Sequence, residues 1–232
     1  MLESNFWKKY FGVYDVLNLL IPYRDLLETI CEELDVKEGE KILEAGCGSG
    51  NLVRELVKRG AQVTGFDYCK EALEVCKKKN PEAKIVFGNL IKPLPFPDNY
   101  FDKIACNNTL YTIPKEKHRS VLIELKRVLR PGGRIVISNP KKEWKPFEIY
   151  TYGIKQNFQQ QGILRTIIKV AKMIIPTIKI LYYNDIIRKQ SQYYFFEPQE
   201  QGQALALAGF SNISNPKSVY ANQAVLSLGW NA

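Results

Sequence analysis

Ile42-Leu43-Glu44-Ala45-Gly46-Cys47-Gly48-Ser49-Gly50-Asn51-Leu52 carries the strongest pattern in the chain. An apolar run of strand length breaks into three alternating glycines, then resumes with helical periodicity in LVRELVKRG, so the segment reads strand, tight turn, helix. Glycine is needed where a backbone turns sharply or a ligand approaches it closely, and the first N–H groups of the following helix have no intrahelical partner. A nucleotide-type ligand at the strand's C-terminal end is therefore expected. A dinucleotide fingerprint G-x-G-x-x-G would need glycine or alanine at position 51, where this chain has Asn51; its spacing is G-x-G-x-G. Taken alone, that spacing fits both a ligand loop and a turn that needs glycines for its own geometry.

The next strand-like run ends in Gly65-Phe66-Asp67, seventeen residues past Gly50. An acid at the tip of a second strand can accept both hydroxyls of a ribose, and the same side chain could instead cap the helix predicted over Cys69–Lys79. Strand-like KIVF and FDKIAC follow, then a helix with Val121, Leu122, Leu125, Val128 and Leu129 on one face. Arg130-Pro131-Gly132-Gly133 stops that helix, and RIVIS starts another strand. Such alternation is the mark of βαβ units in a parallel sheet. It lapses from Asn139 to about Gln199 and returns as a helix ending near Gly209 and two strand-like segments, Phe210–Val219 and Ala224–Leu228. A helix from about Val13 to Leu34, bent at Pro22, precedes the whole.

The chain has 232 residues, 45% of them hydrophobic, enough for one sizeable core. The stretch MLESNFWKKYFGVYD carries Glu3 and basic residues inside its apolar part and lacks the order of a secretory signal, so a cytoplasmic protein is expected. Five cysteines, never closer than seven residues apart and joined by a single histidine, fit neither a disulfide framework nor a zinc site, so buried thiols and no metal are expected. The net charge is +9, and the stretch Lys141–Lys189 alone carries ten basic residues against three acids.

ILEAGCGSG, VTGFD, GNLIKPLPFPDNYFDKIACNNTLY and LKRVLRPGGRIVIS together resemble, in order and spacing, the class I S-adenosylmethionine-dependent methyltransferases, particularly the ubiquinone/menaquinone-biosynthesis branch, over residues 40–139. The resemblance implies an α/β Rossmann-like, seven-stranded, mostly parallel sheet with an N-terminal helical segment (1–36) covering the site. The S-adenosylmethionine-binding domain would span 37–140 and 198–232, with a helical, basic, aromatic-rich cap for the acceptor (141–197) inserted late in the sheet. It further implies that Glu44, Ala45, Gly46, Cys47, Gly48 and Gly50 hold the methionine end, with Glu44 receiving the ammonium, and that Asp67 and the adjoining Tyr68 take the ribose. Asn89 and Leu90 would edge the adenine, and Cys106 with Asn107 would line the floor near the sulfonium. Glu44 stands where Asp is usual, a longer carboxylate of the same charge that should be tolerated, whereas Asn89 stands where Asp is usual and accepts without charge assistance, which predicts somewhat weaker cofactor binding rather than none.

For the reaction side, Tyr111 is the first candidate, five residues past Cys106 where related enzymes often carry histidine; an aromatic packing over the strand end is the plainer reading. His118, the one histidine, is the second candidate, with a surface or rim position as its plainer reading. Tyr14, Tyr111, Tyr150 and Tyr193 are candidate acceptor contacts, drawn from the aromatic flanks of the cap and from the N-terminal helix. In ILRTIIKVAKMIIPTIKILYY (163–183), Arg165, Lys169, Lys172 and Lys179 fall within an arc of about 80°, leaving a broad apolar face, with a bend expected at Pro176. This basic amphipathic helix is too interrupted by charge to span a bilayer. It could lie on an anionic membrane surface, close over the site, or simply bury one face on the domain. The expected acceptor is small, apolar or aromatic and lipid-like. An RNA methyltransferase is the alternative enzyme, less favoured because Asn107-Asn108-Thr109-Leu110 lacks the Asn-Pro-Pro-aromatic turn associated with exocyclic-amine methylation; a non-catalytic binding module is the third reading.

Overall fold

The computed structural model describes residues 4–232. Seven strands form one sheet: β1 (Lys41–Ala45), β2 (Gln62–Asp67), β3 (Lys84–Phe87), β4 (Phe101–Asn107), β5 (Leu129–Pro140), β6 (Lys217–Val219) and β7 (Ala224–Trp230). Their order is β3-β2-β1-β4-β5-β7-β6, with β1 to β5 parallel and β7 antiparallel to both β5 and β6. Strands β1, β2 and β4 are buried on both faces because helices cover both sides. These are α2 (Ile21–Leu34), α3 (Asn51–Lys58), α4 (Lys70–Lys79), α5 (Lys115–Val128) and α8 (Glu200–Leu207). The chain builds from β1 to the β3 edge, then crosses back to β4, so β1 and β4 part company at their C-terminal ends. That reversal opens a crevice there, the place where open α/β sheets hold ligands.

Three expectations about element bounds need correction. The first helix is not one bent unit: α1 (Ser4–Tyr14), a short 3-10 turn (Asp15–Leu19) and α2 are separate, and Pro22 sits in the first turn of α2, where its missing N–H costs nothing. Arg130-Pro131-Gly132-Gly133 is not a loop before the strand; β5 begins at Leu129, and the tetrapeptide is a bulge opposite Phe101–Lys103, with Gly132 at φ +73° and its N–H on the Asn231 carbonyl. Of Phe210–Val219 only Lys217–Val219 is strand, Ser211 making an isolated bridge to Trp230. The five cysteines are buried thiols.

Between β5 and α8 the chain leaves the sheet as two helices, α6 (Pro146–Gln161) and α7 (Ile163–Arg188). A bridge between Lys141 and Phe196 closes the neck of this excursion. The second helix is longer than the periodic stretch suggested and continues through Pro176. It packs against α6, α1 and the 3-10 turn, so the N-terminal segment and the helical insertion meet above the crevice.

Candidate functional site

The glycine turn is shaped by contact as much as by conformation. Gly46 (φ +85°) lies so close to Thr109 that an added Cβ would sit 2.1 Å from its Oγ1, and one on Gly48 (φ +49°) would sit 2.5 Å from the Phe11 ring. The turn is therefore held between the end of β4 and the covering helix α1. Two cavities flank it. The larger, about 850 Å³, is lined by Glu44, Gly46–Ser49 and Asn107 at the strand ends. The smaller, about 590 Å³, is lined by Asp67, Tyr68, Asn89 and Leu90. Both reach Trp7, Phe11, Gly46 and Asn108, so they form one cleft with a waist at the glycine turn.

The cleft carries unmet polar demand. Five buried atoms on its walls lack a hydrogen-bond partner: Glu44 Oε2, Asn107 Oδ1, Asn108 Oδ1, Trp7 Nε1 and Tyr150 Oη. Burial pushes the Glu44 carboxyl well above the usual carboxylate range, and the neighbouring Cys76 and Asp67 add to the effect, against a hydrogen bond from the Val53 backbone and the charge of Lys79. A buried acceptor in that state fits a cationic donor, because leaving it unpaired is costly. Asp67 is also raised by burial, offset by backbone N–H groups of Cys69, Gly48 and Tyr68. Its Oδ2 accepts from Gly48 N and its Oδ1 from Cys69 N, each at 2.9 Å. Asp67 thus ties the glycine turn to the start of α4, and with three N–H groups on about four acceptor positions it retains room for a ligand hydroxyl.

Aromatic rings enclose the rest of the larger cavity. Tyr10, Phe11 and Tyr14 come from α1, Tyr23 from α2, Trp144 and Tyr150 from the start of the helical insertion, and Tyr220 from the β6–β7 turn. Burial raises the phenols of Tyr10, Tyr23, Tyr111 and Tyr220 well above their ordinary value and pushes Tyr14 up to about 12. These hydroxyls are held as neutral phenols rather than bases, and that of Tyr10 already donates to Asn184 Oδ1. Two devices hold the walls. Asp15 pairs with Lys79 at 2.8 Å, and Lys79 also reaches Asn51, whose amide donates to the Tyr23 hydroxyl, clasping the N-terminal segment to α3 and α4. Tyr111 is fixed by its N–H on Asn139 Oδ1, whose amide in turn donates to the buried Gln201.

Among the residues singled out from sequence, Glu44, Gly46, Cys47, Gly48, Asn107, Tyr14, Tyr111 and Tyr150 line the larger cavity, and Asp67, Tyr68, Asn89 and Leu90 the smaller. Asn89 spends one acceptor position on the N–H of Ile91. Ala45, Gly50 and Cys106 line neither cavity; Cys106 is wholly buried beneath the strand end, where burial pushes its thiol up to about 12. Tyr193 stands behind Tyr111, ring centroids 6.1 Å apart. His118 is corrected: it is neither on the surface nor on the rim. It is buried, bonded through Nε2 to the Ile113 carbonyl, stacked on Phe196 and away from both cavities, and burial holds its pKa down.

Sequence reasoning missed Trp7, Phe11, Asn51, Asn108, Asn184, Ile180, Tyr220 and Gln223. The ring spacing Trp7, Tyr10, Phe11, Tyr14 was a usable signal, an aromatic stripe at helical period. Nothing local announced Tyr220, which reaches the cavity because Tyr220, Ala221 and Asn222 all take positive φ (55°, 53°, 65°) in the turn. The loop bearing Asn89 and Leu90 is organised from below: Arg127 donates to the carbonyls of Leu94 and Phe96 and pairs with Asp98 and Glu124. Arg127→Ala should therefore lower affinity for a ligand of the smaller cavity about fivefold and destabilise the fold by about 2 kcal/mol, read by calorimetry and thermal unfolding. Unchanged affinity would mean that the loop holds its shape without Arg127.

Comparison with known proteins points the same way. The family described as "Methyltransferase domain" matches residues 43–137. The chain is 32% identical over 141 residues to a demethylmenaquinone methyltransferase of Geobacillus sp. (strain WCH70), covering 56% of this chain and 59% of that protein. It is 28% identical over 228 residues to one from Staphylococcus saprophyticus, covering 94% and 91%. The chain thus spans about three-fifths of the Geobacillus relative and nearly all of the Staphylococcus one. Among solved structures, a SAM-dependent methyltransferase from Aquifex aeolicus is similar over all of both chains (TM-score 0.65, 20% identity). Human N-acetylserotonin methyltransferase in complex with SAM is similar over 89% of this chain and 51% of that one (TM-score 0.57, 16% identity).

Proposed function

We propose that the chain is a class I S-adenosylmethionine-dependent methyltransferase that methylates an apolar aromatic acceptor of the demethylmenaquinone kind, held in the tyrosine-lined half of the cleft. The observation that carries this reading is the partition of the cleft: one cavity offers the polar partners of an adenosine, the other joins a buried unpaired carboxylate to a cage of rings. Among the described residues neither cavity is lined by Lys or Arg, which favours a neutral apolar acceptor over a polyanion such as RNA.

The residues present fit the cofactor. Glu44 Oε2, buried and unpaired, would receive its ammonium; the Gly46–Ser49 turn, where a Cβ would collide, would cradle its methionine end; Asp67 would take the ribose hydroxyls and Asn89 with Leu90 the adenine. When bound, S-adenosylmethionine supplies a methyl group already activated on a sulfonium. What the chain adds is position and dryness. Fixing an acceptor in line for displacement can supply on the order of 7–11 kcal/mol in favourable cases. Ring faces around the waist favour positive charge and exclude water. The Tyr111 hydroxyl holds its proton and would donate to an acceptor oxygen, while Asn107 Oδ1 and Asn108 Oδ1 would accept from acceptor hydroxyls. Apart from Glu44, which the ammonium would occupy, the described lining of the larger cavity holds no carboxylate or histidine, so an acceptor whose nucleophilic form is accessible on its own, such as a reduced quinone ring, suits the site.

Transfer of radiolabelled methyl tests this. A short-tailed reduced analogue of demethylmenaquinone should be methylated with a kcat/KM at least about a hundredfold above small hydrophilic amines. Equal rates on both would reject the acceptor class while leaving cofactor binding, measured separately by titration with S-adenosylhomocysteine, as the mark of the family.

A further inference from the structure

The helix α7 has two apolar faces, and only one of them is used. Thr166, Met173, Ile180, Asn184 and Ile187 turn inward, and Ile180 and Asn184 reach the larger cavity, where Asn184 accepts from the Tyr10 hydroxyl at 3.3 Å. On the opposite side Leu164, Ile167, Ile168, Ile175, Ile178 and Tyr182 stand 49 to 73% exposed. Their spacing at three, four and seven residues stacks them into one continuous stripe along five turns. Soluble monomers rarely expose contiguous apolar patches beyond a few hundred Å².

One edge of the stripe is cationic. Arg165, Lys169, Lys172 and Lys179 run beside it, and among the described residues none of the four makes an ion pair; the single acid of this helix, Asp185, is neutralised by Lys189 at 2.6 Å. Lys169 is held below its ordinary pKa by burial and by the neighbouring positive charges of Arg24 and Arg165, so positive charge is concentrated here rather than balanced. A second copy of the chain would bring the same cations to the same face, and repulsion would oppose that pairing. An anionic bilayer would take the isoleucines into its acyl boundary and the cations among its headgroups, with Tyr182 at the level where phenols settle. No helix among the described residues is long and apolar enough to cross a membrane, so the arrangement is one of lying on the surface.

We propose that α7 docks the protein on an anionic lipid surface through its outward stripe, while its inward face closes the acceptor cavity. One helix thereby joins the membrane to the site, the geometry a lipid-like acceptor would need. The docking itself is read from the helix alone and does not depend on the acceptor. Co-sedimentation of the full chain, without cofactor or acceptor, with phosphatidylcholine vesicles containing about one-third phosphatidylglycerol tests it. The wild type should partition to these vesicles, lose most of that binding in pure phosphatidylcholine or high salt, and lose about tenfold in partition on combined Ile167→Gln, Ile175→Gln and Ile178→Gln. These side chains face solvent, so S-adenosylhomocysteine affinity should not move. Lys172→Glu with Lys179→Glu provides an independent variant and should act in the same direction. Equal binding to neutral and anionic vesicles, or full binding by both variants, would overturn the proposal. So would a solution dimer that the isoleucine variants dissolve with no vesicle binding, since the stripe would then join two copies. None of these outcomes bears on methyl transfer to a soluble acceptor.

Discussion

Glu44→Gln should weaken S-adenosylmethionine binding about a hundredfold and, at the same time, make the ligand-free protein more stable at alkaline pH. Both effects have one cause. The carboxylate is buried at the end of β1 with Oε2 unpaired, a group that ionises at a cost until a cation arrives. A charge-assisted hydrogen bond to a buried ammonium is worth roughly 1.5–3 kcal/mol, and an amide of the same shape keeps little of it. The sign of the stability effect follows from the raised pKa. A carboxyl whose folded-state value lies above its unfolded value favours the fold while protonated; that contribution is intact below the ordinary value of 4.5 and is lost as pH rises toward the folded-state value. The amide of the variant has nothing to ionise. The gap in melting temperature between variant and wild type should therefore widen as pH rises above the ordinary carboxylate range, and cofactor binding to the wild type should release protons, visible as a buffer-dependent enthalpy. A gap that stays constant with pH would mean that Glu44 is not the buried, costly charge described. Asp67 is the less clean probe, because its removal also strands the N–H groups of Gly48 and Cys69.

What could be read from sequence was what is local. The β1 turn, Asp67 and the alternation up to β5 announce themselves because strand, glycine turn and helix each fix their pattern within about ten residues. The order of motifs then names a fold whose crevice is dictated by topology, so Glu44, Asp67, Asn89 and Asn107 fall at the cleft without any contact being known. Failures came where the outcome depends on what packs against what. His118 looked surface-bound from its helix position, yet the segment at Phe196 folds back and buries it. Cys106 follows the strand's own alternation downward, leaving Asn107 to line the cleft. Trp7 and Phe11 matter because α1 lies across the glycine turn, and Tyr220 because an unusual turn aims it inward; neither placement is written in neighbouring residues. The isoleucines of α7 gave the opposite lesson. The sequence left their broad apolar face open between a lipid surface, the site and the domain, and the structure leaves six of the nine exposed.

Gly46→Ala should abolish detectable cofactor binding and destabilise the fold by about 2–4 kcal/mol. Two separable terms contribute. At φ +85° an L-residue is strained by roughly 1–2 kcal/mol wherever it sits. The added methyl would also lie 2.1, 2.3 and 2.7 Å from Thr109 Oγ1, Cγ2 and Cβ, an overlap that no rotation of the threonine relieves because its Cβ is itself too near. Thr109 cannot easily retreat, since its hydroxyl donates to the carbonyls of Gly46 and Asn107 and its backbone follows Asn108, held at φ +49° with its N–H on Ser138. Something on the cleft wall must move, and both cavities share it. The double variant Gly46→Ala with Thr109→Gly removes all three clashing atoms and leaves the conformational term. It should recover about half of the lost stability relative to Thr109→Gly alone, and part of the binding. Complete recovery would mean that the left-handed turn costs alanine nothing and that glycine is there only to make room; no recovery would mean that the turn has refolded, and that its backbone shape rather than its clearance is what the cofactor reads.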